Sequence, residues 1–116
     1  MAADEILLIG EVVGVPAAVC HLHFEIVGGR LEVFVKSIAV AVAHRGVGGE
    51  IAGRLLSELH REAGSFAGEN SVSVVVLMAK TNTSNLPIQR LLKRFGWEPF
   101  GPPEHDLQMW MRTISV

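Results

Sequence analysis

Residues 44–56 read HRGVGGEIAGRLL, and the fold turns on how this stretch is read. Gly46, Gly48 and Gly49 stand behind Arg45, directly before a run in which Ile51, Leu55, Leu56 and Leu59 gather on one helical face. A helix N-terminus leaves about four N–H groups without intrahelical partners and carries roughly half a positive charge. Glycines ahead of it let an anion reach those groups without meeting a Cβ. The residues alone leave two readings open. One is a plain strand-to-helix turn; the other is a phosphate cradle, with Arg45 as a charged donor and His44 beside it. The stretch matches neither G-x-x-x-x-G-K-[ST] nor G-x-G-x-x-G.

Towards the N-terminus, LEVFVKSIAVAV leads into this stretch as a long β-branched strand. AAVCHLHFEIV and ILLIGEV precede it, separated by Gly28-Gly29 and by a turn at Gly14 with Pro16 just beyond. Three strands joined by tight glycine turns make an antiparallel meander. Towards the C-terminus, the helix is expected to stop near Gly64, with Gly68 in the loop that follows. SVSVVVLMA is a continuous apolar strand, buried on both faces. NLPIQRLLKRF is a second helix, with Pro87 in its first turn, Arg90, Lys93 and Arg94 toward its negative end, and Gly96 as its stop. WEPFGPP and DLQMWMRTI are the last extended segments, with Trp97, Phe100 and Trp110 expected to pack them.

The order is β-β-β-α-β-α-β-β. A helical crossover between two long apolar strands requires them to lie parallel. The class is therefore α+β, with a mixed, mainly antiparallel sheet and one parallel central pair. The 116 residues suit a single domain, 1–116, large enough for its own core. At 49% apolar and 19% charged the chain is no disordered segment, and a net charge of −2 gives no basic field for nucleic acid. Cys20 is the only cysteine, so an intramolecular disulfide and a multi-cysteine metal site are excluded and a reduced, cytoplasmic setting is the default. Gly, Pro or charge interrupts every apolar run within about a dozen residues, against a membrane span. MAADEILLIG has two acids and no basic start, unlike a signal peptide.

This order, with an R-G-x-G turn before an amphipathic helix, resembles the GNAT superfamily of acyl-CoA-dependent N-acetyltransferases. The family's [Q/R]-x-x-G-x-[G/A] motif corresponds to Arg45, Gly48 and Glu50, and its N-x-x-[A/S]-x-x-[L/F]-Y-x-x-x-G-[F] element to Asn85, Ile88, Leu91, Leu92, Gly96 and Trp97. The resemblance runs from about Ile6 to the C-terminus. Glu50 replaces a small residue, and Leu92 replaces a tyrosine that many members place near the departing thiolate. The strand and helices with which members usually begin have no counterpart ahead of Ile6.

The resemblance implies acetyl-CoA as co-substrate and no metal. Arg45, Gly46, Val47, Gly48 and Gly49 would hold its pyrophosphate, Ile38 and Val40 its pantetheine arm by backbone pairing, and Asn85 would contact it while capping its helix. Acetyl would pass by direct attack to a primary amine on a small molecule or peptide. Glu32 would be the base, thirteen residues ahead of Arg45 as in histone-acetyltransferase-like members. Its plainer reading is a solvated carboxylate beside the Gly28-Gly29 hairpin. His21 and His23 share one face of a strand, either as base candidates, as two ligands of a metal lacking a third, or as histidines satisfied by neighbours. For the leaving thiolate, water and Cys20 are the remaining donors. The rival function is a non-catalytic acyl-CoA sensor or partner-binding module. An exposed sheet edge near the N-terminus would suit a homodimer.

Overall fold

The computed structural model describes residues 3–12, 15–40 and 50–115. Among these residues, six strands form one sheet: β1 (Ala3–Val12), β2 (Val15–Val27), β3 (Arg30–Val40), β4 (Val74–Asn82), β5 (Glu98–Glu104) and β6 (Leu107–Ser115). Helices α1 (Glu50–Glu69) and α2 (Leu86–Arg94) follow β3 and β4 respectively. The spatial order is β1-β2-β3-β4-β6-β5, with β3 and β4 parallel and every other pair antiparallel. The α+β class and the single parallel central pair are as the sequence predicts.

Alternation along the strands decides which face carries the core. Cys20, Leu22 and Phe24 on β2, Leu31, Val33 and Val35 on β3, and Val75, Leu77 and Ala79 on β4 are all buried. They join Leu55, Leu56, Leu59, Ala63 and Ala67 of α1 and Leu91 and Leu92 of α2 in one cluster. Both helices therefore lie on the same face. They also meet each other, because Gly53 leaves room for the Phe95 ring, which a Cβ there would approach at 3.6 Å. Val27 and Arg30 close the β2–β3 hairpin around Gly28 and Gly29, at φ 55° and 78°, the twist a two-residue hairpin favours.

Two expectations are corrected. First, α1 does not stop near Gly64 but runs through it and Gly68 to Glu69. Each glycine costs about 1 kcal/mol against alanine, but the apolar stripe continues past them. Ala63 and Ala67 are fully buried, and Phe66 meets Phe24 edge to face at 5.1 Å. Tertiary burial overrides the local breakers. Second, Phe100 is 61% exposed instead of packed, whereas Trp97 and Trp110 are buried as expected. Phe100 pairs with Met109 and so lies on the sheet face away from the helices.

Candidate functional site

The parallel pair does not run its full length. β3 and β4 are in register from Leu31–Val75 to Val35–Ala79, yet β3 continues to Val40 and β4 to Asn82. Past that point each strand keeps only its outer neighbour. Ile38 and Val40 pair with Cys20 and Ala18 of β2, while Thr81 and Asn82 pair with Gln108 and Leu107 of β6. The cause is visible in β3. Val35 faces Leu22 and Ser37 faces His21, so Lys36 is an extra residue with no opposite number. Such a bulge bends its strand and increases the local twist, and the pairing of β3 with β4 stops at the residue before it. The result is a gap between β3 and β4, bordered by main-chain N–H and C=O groups that no described strand satisfies. An extended ligand with amides of its own has the complementary groups.

Several expected site residues border this gap. Ile38 and Val40 lie on β3 beyond the last parallel pair. Arg45, Gly46, Val47, Gly48 and Gly49 lie outside the described residues; their segment connects the free end of β3 to Glu50, where α1 starts. Asn85 stands past the free end of β4 as the N-cap of α2, its Oδ1 accepting from the Ile88 N–H at 3.4 Å. The loop before it is braced: Asn82 Oδ1 accepts from the Ser84 N–H and hydroxyl at 2.9 and 2.6 Å, and Gln89 Nε2 donates to the Thr83 carbonyl at 2.9 Å. The Thr83 N–H donates to the Asp106 carbonyl at 2.9 Å, tying the tip of the β5–β6 hairpin to the same end.

Glu32 is not brought to that end. It lies within the paired part of β3, and its Oε2 accepts from Arg30 Nε at 2.9 Å and takes its NH2 at 2.7 Å. At about 3.3 Å per strand residue, Ile38 is about 20 Å away. Leu92, at the family's tyrosine position, is 2% exposed and packed in the core. Cys20 is buried too, and desolvation pushes its thiol up to about 12.

The sheet face opposite the helices carries a cluster of which the sequence by itself shows only the histidine pair. Glu5 on β1 accepts from both histidines of β2: Oε2 is 2.6 Å from His21 Nε2, and Oε1 is 3.0 Å from His23 Nδ1. Lys36, the bulged residue, adds its ammonium to Oε1 at 3.2 Å. These hydrogen bonds, led by that from His23, hold the Glu5 carboxyl below the usual carboxylate range. The histidine pair was legible as HLH; Glu5 was not, because only the β1–β2 register sets it between them. Among the described residues no group of three His, Cys, Asp or Glu side chains is arranged to hold a metal ion, and no helix is long and apolar enough to cross a membrane.

No protein-family profile and no curated protein matches the sequence. Solved structures do. A ribosomal-protein-alanine N-acetyltransferase from Brucella melitensis superposes with a TM-score of 0.67 at 23% identity, covering 95% of this chain and 69% of that one. An acetyltransferase of the GNAT family from Streptococcus pneumoniae gives 0.70 at 15%, covering 95% and 67%. Arabidopsis thaliana Naa50, in complex with the bisubstrate analogue CoA-Ac-MVNAL, gives 0.58 at 15%, covering 89% and 68%. This chain has the GNAT fold.

Proposed function

From this fold we propose that the protein binds acetyl-CoA and transfers its acetyl group to a primary amine. The observation that carries the reading is the gap between β3 and β4, which opens at the Lys36 bulge on the strand that precedes α1 in the chain. Main-chain groups at Ile38 and Val40 would pair with the amides of the pantetheine arm. Arg45 to Gly49 and the first turn of α1 would receive the pyrophosphate, where unpartnered N–H groups and the helix dipole favour negative charge. Asn85 would add a contact from the far side of the gap. Held so, the thioester carbonyl meets a fixed main-chain donor as its oxygen gains charge, and the amine attacks within a positioned complex instead of by random encounter.

The acceptor must lose a proton to attack. The resemblance gives that part to Glu32, which at about 20 Å from Ile38 would act only through a chain of waters. The chain contains no tyrosine to protonate the departing sulfur, so water is the donor available to it. The acceptor is a small molecule or a peptide amine, and a second copy of the chain at the β1 edge would complete a homodimer.

Thermal unfolding with acetyl-CoA, beside an ATP control, tests the reading. A ligand at about a hundredfold over its Kd adds roughly 2.7 kcal/mol, a shift of several degrees for a domain of this size. A shift with acetyl-CoA alone, followed by amine-dependent release of free thiol, is expected. Absence of any shift overturns the proposal. A shift without thiol release under any amine supplied would make the chain an acyl-CoA sensor instead.

A further inference from the structure

The transfer reading leaves the Glu5–His21–His23–Lys36 cluster unused, and the cluster lies at the gap. In the β2–β3 register His21 stands directly opposite Ser37, the first residue after the Lys36 bulge. Antiparallel neighbours sit about 5 Å apart, so His21 is one strand's width from the point where β3 has parted from β4. It lies on the face opposite the helices, because its sequence neighbours Cys20 and Leu22 point into the core. In the proposed complex the cofactor would reach the gap from the helix face that carries α1, and this second face would be left for an incoming amine.

Geometry also sets the state of the ring. Oε2 of Glu5 at 2.6 Å from Nε2 requires a proton between them, and a carboxylate held by three donors accepts it. His21 is thereby the Nε2–H tautomer, with the Nδ1 lone pair turned away from Glu5. A carboxylate that orients an imidazole and steadies its charged form is the arrangement in which histidine serves as general base in the Ser-His-Asp triad. His23 occupies the other carboxylate oxygen but faces Phe34 inside the paired part of the sheet, away from the gap. Among the described residues, the other charged groups on this face include Glu25, 3.7 Å from His23 Nε2, the Arg30–Glu32 pair, Lys80, exposed on β4 across the gap, and Glu98, which pairs with Met111 on the far strands.

We propose that His21 is the general base of the transfer, with Glu5 as its positioning residue. The inference rests on the acetyl-transfer reading and deepens it. The acceptor arrives as an ammonium and gives one N–H proton to His21 Nδ1. The freed lone pair forms the N–C bond to the thioester carbonyl, the C–S bond breaks, and the second proton of the nitrogen passes through water to the departing sulfur. Amide and free thiol result, and His21 returns its proton to water.

The test measures thiol release from acetyl-CoA with spermidine, benzylamine and a lysine-containing peptide as acceptor probes, across pH, for wild type, His21→Gln, Glu5→Gln and Glu32→Gln. The acetyl-CoA thermal shift of each variant reports that fold and cofactor site persist. His21→Gln is expected to lower kcat/KM by about 10²- to 10⁴-fold with that shift retained, and to abolish the acid limb of the pH profile. Glu5→Gln is expected to lower kcat with KM unchanged, because the ring loses the carboxylate that orients it, and Glu5→Asp to recover part of that loss. Turnover that His21→Gln leaves within twofold, or a loss found in Glu32→Gln instead, overturns the assignment while transfer stands. Wild type that binds acetyl-CoA but releases no thiol with these amines overturns both.

Discussion

The indole N–H of Trp110 donates to the Thr81 hydroxyl at 2.9 Å, inside the core, where Trp110 is 1% and Thr81 8% exposed. Thr81 lies two residues beyond Ala79, the last residue of β4 that pairs with β3. The bond therefore pins the free end of β4 onto β6 once its other neighbour has gone.

Thr81→Val keeps the shape and removes the acceptor, leaving a buried indole N–H unpaired. The expected cost is about 1–3 kcal/mol, read from urea midpoints, with Thr81→Ser recovering most of it. Equal losses for valine and serine would mean that packing, not the hydrogen bond, matters at this position.

Gly64 and Gly68 are helical, and a Cβ built on either meets nothing within 4 Å. Alanine at each is expected to raise stability by about 0.5–1 kcal/mol, with the two gains adding because the residues share no partner. A fall in Tm for either would show that the α1 surface there is occupied.

His60 of α1 accepts from the Trp97 indole N–H at 3.3 Å through Nε2, and the two rings stack with centroids 6.3 Å apart. Burial, and then the nearby Arg112 guanidinium, lower its pKa below the ordinary histidine value. The unfolded chain therefore takes up a proton that the folded chain resists. This contribution is complete above the unfolded value of about 6.5 and is lost as pH falls through the folded one. Urea midpoints at pH 7.5 and 5 are expected to differ less in His60→Gln, which keeps an acceptor for Trp97, than in wild type. An identical difference in both would place the acid sensitivity elsewhere.

Asn85 has two roles to separate. As an N-cap, its replacement by alanine is expected to cost about 1 kcal/mol, whereas serine retains the cap. As a cofactor contact, it would weaken acetyl-CoA binding in both variants. Isothermal titration of Asn85→Ser with acetyl-CoA decides: affinity equal to wild type leaves Asn85 a cap alone.

By itself the sequence determined the element order, the meander, the parallel central pair and most of the core. These follow from short-range physics. Period-two runs such as AAVCHLHFEIV, the Gly28-Gly29 turn and the stripe from Leu55 to Leu59 each declare an element within a few residues. The resemblance in Arg45–Glu50 and Asn85–Trp97 pointed to the family whose fold the chain has. The same short-range rules ended α1 too soon, because the contacts that carry it past Gly64 come from Phe24, forty residues earlier in the chain. Only the tertiary structure decided where β3 and β4 part and what stands beside the gap. A bulge at Lys36 is a mismatch between two strands, and no residue in either strand announces it. Glu5 likewise meets His21 and His23 only through the β1–β2 register. Register is set by pairing across the sheet, summed over whole strands, and so it is written in no single segment.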